Sequence, residues 1–227
     1  MAGADAALAG AIVLGVLYWI GWCWRAGRGW APLIVKAGST TLLAVFAYMA
    51  GGPWLLVAGL ALSSAGDAFL AMDGREGGTW LKPGMAAFFL AHVAYVFLFW
   101  HLPQTERSIV NLAAQTGLVL GGVVYVRWLA PSLGSMRYPV FAYTGIILLM
   151  GAVALRLDPA YSLVMLGAVM FVASDMILAN QLFRRPEGAP PQVVPSLAVW
   201  GLYFFGQALI AWGGVRPLAA AGRALAP

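Results

Sequence analysis

Apolar residues run through this chain in stretches too long for a soluble fold. Set apart by Gly, Pro or charge, they lie at about 6–24, 32–49, 53–72, 83–101, 108–128, 138–155, 159–183 and 193–213. Each approaches the roughly 20 residues that a helix needs to cross the hydrocarbon core of a bilayer. Lipid offers no partner to a backbone N–H or C=O, so a lone apolar run of this length satisfies its own groups as an α-helix. The expected fold is therefore all-α: a polytopic bundle of about eight transmembrane helices, one transmembrane domain over residues 1–227 with no separate soluble unit. Pro32, Pro53, Pro83 and Pro159 stand at first-turn positions, where a missing N–H costs nothing.

Composition agrees. Charged residues are 9% of the chain and hydrophobic ones 62%, whereas a soluble domain carries roughly 25% charge to wet its surface. The net charge of +5 reads as loop arginines that set topology and meet anionic headgroups, not as a nucleic-acid surface. Arg25, Arg28, Arg75, Lys82, Arg127, Arg137, Arg184 and Arg185 fall in one set of alternate loops; Arg107, Arg156, Arg216 and Arg223 fall in the other set and the tail. The richer set is expected on the cytoplasmic side. The first segment has no basic start and carries Asp5, so it is expected to be a retained helix, not a signal peptide. A lone cysteine, Cys23, excludes a disulfide framework. Tryptophans 19, 22, 24, 30, 100 and 128, near span ends, suit the membrane interface better than a cofactor box.

An ionisable side chain at the centre of a span costs about 2.5–3.5 kcal/mol on insertion scales, so the few present here mark the working part of the molecule. Asp67 and Asp175 lie about two-thirds along the third and seventh spans. Those spans cross in the same direction, which puts both carboxyls in the cytoplasmic half. GDAFLA at 66–71 resembles SDMILA at 174–179, as a duplicated four-helix unit would leave. Lys36 is one turn into the second span, placed either to snorkel to the interface or to turn inward to a carboxylate or phosphate. His92 and Tyr95 share a face of the fourth span; an imidazole there is a hydrogen-bonded core residue or a proton carrier. Ser63 and Ser64 precede Asp67 by one turn, Ser174 adjoins Asp175, Tyr203 and Gln207 share a face, and Tyr143 is placed to reach inward. Singly such residues are glue between helices; together they outline a polar pocket. Two histidines are too few for a three-histidine zinc site, and no P-loop, HExxH or GxSxG element is present.

SSAGDAFL (63–70), PGMAAFFLAHVAY (83–95) and GAVMFVASDMILA (167–179) together resemble the YhhN-like family, whose characterised members are lysoplasmalogenases. The likeness rests on Lys36, Gly66, Asp67, Leu70, Gly84, Phe88, His92, Tyr95, Ser174, Asp175, Leu178, Ala179, Tyr203 and Gln207, and runs from about residue 30 to 213. It implies a hydrolase that cleaves the vinyl ether bond of a lysophospholipid from within the bilayer, with no metal or organic cofactor. Asp67, Asp175 and His92 would be catalytic. Lys36, Ser63, Tyr95, Tyr143, Ser174, Tyr203 and Gln207 would line the substrate. Vinyl ether hydrolysis needs an acid to protonate carbon and an anion to face the resulting cation, and two carboxyls in a low-dielectric site divide those roles. Partners would be the lysolipid and membrane lipids, with no nucleic acid. Proton-coupled transport or lipid binding by the same two aspartates is the alternative. The Ala-, Gly- and Arg-rich composition points to a bacterial inner membrane, where another lysolipid or a vinyl-ether-like metabolite is a further candidate substrate.

Overall fold

The computed structural model describes residues 2–25, 29–73, 78–186, 189–190 and 192–224, the side chains of Asp73 and of 217–224 excepted. Arg28 and Arg75, and the side chain of Arg223, lie outside that description. The chain forms α1 (Ala2–Gly21), α2 (Trp30–Met49), α3 (Trp54–Asp73), α4 (Leu81–His101), α5 (Ile109–Leu129), α6 (Arg137–Ala154), α7 (Ser162–Phe183) and α8 (Val193–Ala224). Among the described residues these eight are long and apolar enough to cross a membrane, which fits an integral multi-pass protein.

Several ends differ from the expected spans. Helix α1 starts at Ala2 instead of Ala6; exposed Asp5 sits in its first turn, where the helix dipole favours a negative charge. Helix α8 continues to Ala224, past the expected end at Gly213. The Gly213–Gly214 pair is not a stop signal but a packing surface. A Cβ on Gly213 would come within 3.0 Å of the Val164 backbone nitrogen, and one on Gly214 within 3.0 Å of Leu56. Asp158 caps the turn before α7 by accepting from the Ala160 N–H at 2.9 Å, so Pro159 opens a short 3-10 turn ahead of the helix proper.

Helix α1 packs on α2, α2 on α3 and α3 on α4, and α7 packs most closely on α8; α4 lies against α6, and α2 against α8. Under an offset of four helices the last two contacts correspond. The spacing from Asp67 to Tyr95 also equals that from Asp175 to Tyr203. Both are the traces that a duplicated unit would leave.

Helices α7 and α8 meet backbone to backbone. A Cβ on Gly167 would stand 2.4 Å from the Gly206 carbonyl oxygen, and one on Gly206 2.8 Å from the Gly167 oxygen. Small residues of this kind replace the hydrophobic effect as the means of helix association in lipid. Gly167→Ala is therefore expected to force the helices apart and destabilise the bundle by about 1–3 kcal/mol, the usual cost of overpacking. Thermal unfolding in detergent reads this directly; an unchanged midpoint would show that the contact yields.

The two ends of the bundle are unlike. At one end the α4–α5 and α6–α7 connections are tied together, Thr105 N–H to Arg156 O at 2.8 Å and Asp158 N–H to Pro103 O at 2.9 Å. At the other lie Arg25, Lys82, Arg127, Arg137, Arg184 and Arg185. There Arg184 lies 4.0 Å from the Trp128 ring centre and donates to the Trp128 carbonyl at 3.1 Å, a cation held over an interfacial aromatic.

Candidate active site

The basic end of the bundle opens into a cavity of about 380 Å³. Its inner wall carries Lys36, Asp67, Tyr143, Ser174, Asp175 and Tyr203, and Arg25, Gln181 and Arg185 stand nearer the mouth. Those residues come from α2, α3, α6, α7 and α8 and from the segments after α1 and α7, so no single sequence element encodes the site.

Asp67 is 1% exposed. A carboxylate so deeply placed is tolerable only if its oxygens are matched, and here both are. Lys36 Nζ lies 3.3 Å from Oδ1, and Thr40 Oγ1 and the Tyr203 hydroxyl donate to Oδ2 at 2.7 and 2.6 Å. Lys36 and Thr40 are neighbours one turn apart on α2, which aims both at α3. Thus Lys36 turns inward instead of snorkelling outward, its ammonium 5.9 Å from the Trp200 ring centre. Ser64 Oγ, one turn before Asp67, donates to the Ala37 carbonyl at 2.9 Å and seals the α2–α3 contact.

Asp175 is served differently. Tyr143 of α6 donates to its Oδ2 at 2.6 Å, and among the described residues its other oxygen has no protein partner. Neighbouring Ser174 lines the cavity, but its hydroxyl is spent on the Val199 carbonyl of α8 at 2.9 Å. The two carboxyls thus share one cavity with unequal partners: one fully occupied as an acceptor, the other half free.

The remaining expected residues form a layer one turn farther from the mouth and line neither this cavity nor the apolar one beside it. Tyr95 donates to Gln207 Oε1 at 2.6 Å. His92 Nδ1 lies 2.6 Å from the Phe88 carbonyl; a carbonyl only accepts, so Nδ1 is the protonated nitrogen. The His92 ring rests against Tyr143 (5.3 Å between centres) and Phe171 (4.7 Å), which makes it a buttress for the tyrosine that holds Asp175. Ser63 Oγ, His92 Nε2 and Gln207 Nε2 are buried without a hydrogen-bond partner among the described residues. An unmatched buried polar atom costs about 1–3 kcal/mol.

A model of the YhhN family matches residues 31–214. The chain belongs to that family. In this YhhN-family chain the matched stretch begins at the start of α2 and ends within α8, so it contains both carboxyls and all of their hydrogen-bond donors. Neither the curated proteins nor the solved structures gave a match. Thr40 was missed in the sequence; its place one turn after Lys36 on the same face was the available signal. In the sequence Arg25 and Arg185 stand chiefly as topology charges. Their place at the cavity mouth depends on how the ends of α1 and α7 come together.

Proposed function

We propose that this YhhN-family chain is a membrane-embedded hydrolase that cleaves the vinyl ether bond of a lysoplasmalogen. The products are a fatty aldehyde and glycerophospho-ethanolamine or -choline. The observation that supports this reading is the pair of carboxyls, Asp67 buried and Asp175 half-buried, with unequal partners in one cavity, beneath a rim bearing Arg25 and Arg185.

The chemistry divides as follows. A carboxyl gives its proton to the carbon β to the ether oxygen; the π electrons form the new C–H bond and leave a cation shared between the other carbon and the oxygen. Water adds to that carbon and returns one proton to the carboxylate. As the hemiacetal collapses, its C–O bond to glycerol breaks, the glycerol oxygen takes the hydroxyl proton, and the aldehyde remains. One water is consumed and the acid is restored. Positioned acid–base catalysis contributes roughly 10²–10⁴-fold, and a fixed anion beside the cation adds electrostatic stabilisation. The rim arginines would hold the phosphate at the headgroup level, on the cytoplasmic side of a bacterial inner membrane by the bias of basic loops.

Purified protein in lipid nanodiscs, given a lysoplasmalogen, is expected to release aldehyde and glycerophospho-product in equal amounts. Release should fall in Asp67→Asn. No aldehyde from the wild-type chain ends the reading. A pH-gradient-driven flux in proteoliposomes, without lipid turnover, would assign the carboxyls to proton-coupled transport.

A further inference from the structure

A second cavity, of about 80 Å³, adjoins the first between α4, α5, α6 and α7. Its own walls include Met85, Leu129, Val140, Ile147, Leu148 and Ala179, which leave it almost wholly apolar. Leu70, Phe88, Tyr143, Asp175, Leu178 and Leu182 line both cavities. Lys36, Asp67 and Tyr203 line the first alone. Asp175 therefore stands at the junction of a basic-mouthed polar chamber and an apolar one, and Asp67 stands behind it on the polar side.

The apolar chamber also reaches the outside of the bundle. Met176 lines it and is 37% exposed. Helix α5 forms the outer wall with Gly122, Tyr125 and Leu129; only Gly122 and Leu129 of this helix are buried, and it is tied to α7 by the Tyr125 hydroxyl donating to the Met176 carbonyl at 2.5 Å. A chain entering from the polar chamber would thus pass Asp175, cross the apolar chamber and continue into lipid.

We infer that this chamber between α4, α5, α6 and α7 binds the first carbons of the aliphatic chain of a single-chain phospholipid whose headgroup occupies the basic cavity. The inference rests on the lysolipid reading above. A polar head in one chamber and a hydrocarbon in the other place the linkage between them against Asp175. The geometry then divides the two carboxyls. Vinyl ether cleavage puts the proton on the carbon at the chain side of the double bond. Asp175, facing the chain chamber with one oxygen unpartnered, is the proton donor and regains its proton from the attacking water. Asp67, with both oxygens already accepting, is the standing anion on the headgroup side.

Two measurements test the chamber. An alkyl lysophospholipid carrying a diazirine on the third or fourth chain carbon is photolysed with the wild-type protein, and the adducts are mapped by mass spectrometry. Adducts at Met85, Ile147, Leu148 or Ala179 are expected; adducts confined to the lipid-facing surface, or to α1 and α2, overturn the inference. In the second, Ala179→Phe narrows the chamber. The ratio of kcat/KM for a C16 alkenyl substrate to that for a propenyl analogue is expected to fall at least about tenfold, since one lost methylene contact alone is worth roughly 10-fold or more in an apolar pocket. An unchanged ratio in the folded variant overturns it, and if that variant fails to fold the cross-linking on the wild type decides. Adducts in the chamber, from a protein that releases no aldehyde when given a lysoplasmalogen, would refute the hydrolase reading while leaving the chain-binding site in place.

Discussion

Asp175→Asn is expected to lower aldehyde release by about 10²–10⁴-fold, the range that a positioned general acid contributes. The substitution is nearly isosteric, and the amide oxygen still accepts from the Tyr143 hydroxyl that holds Oδ2 at 2.6 Å. The bundle should therefore fold as before and still take up the lysolipid, but an amide N–H is far too weak an acid to protonate carbon. Single-turnover release in nanodiscs, with lysolipid binding measured on the same samples, separates these effects. Turnover above a tenth of wild type in a folded, lipid-binding variant would remove Asp175 from the acid's place. The loss should also exceed that of Tyr143→Phe, which keeps the carboxyl and removes only its positioning bond.

The largest effect on stability is expected from Lys36. In Lys36→Met the Asp67 carboxylate stays 1% exposed and keeps only the donors Thr40 and Tyr203. Removing one partner of a buried ion pair typically costs about 3–5 kcal/mol, because the remaining charge is left uncompensated. Adding Asp67→Asn removes that charge, so the double variant should recover much of the loss. The coupling read from such a cycle should be several times the few tenths of a kcal/mol seen for independent sites. Unfolding of the four proteins in one detergent tests this, and strictly additive losses would show that the pair is not coupled.

The split between sequence and fold runs along physical lines. The membrane spans were legible because burial in lipid is a property of composition over about 20 residues and needs no knowledge of neighbours. Asp67 and Asp175 stood out for a related reason: an unmatched charge in hydrocarbon is costly wherever it occurs. Lys36 was legible as a charge but not in its direction, since snorkelling and inward pairing differ only in what α3 presents to it.

What the sequence left open was set by contacts between residues far apart in the chain. Tyr203, which follows Asp175 in the chain, joins Asp67 across most of the protein's length, while Tyr95, at the same spacing after Asp67, bonds Gln207 instead of Asp175. That asymmetry gives two similar sequence elements different carboxyl environments. His92 lies behind Tyr143 and not in the cavity, because mid-span polarity records that a group needs a partner without recording which one. Gly213 and Gly214 show the same limit: a glycine that ends a helix and one that admits a neighbouring helix are the same residue in a sequence. Hydropathy and the cost of charge act locally and are written along the chain. Rotation about each helix axis, and so which partner meets which carboxyl, is settled only when the helices pack.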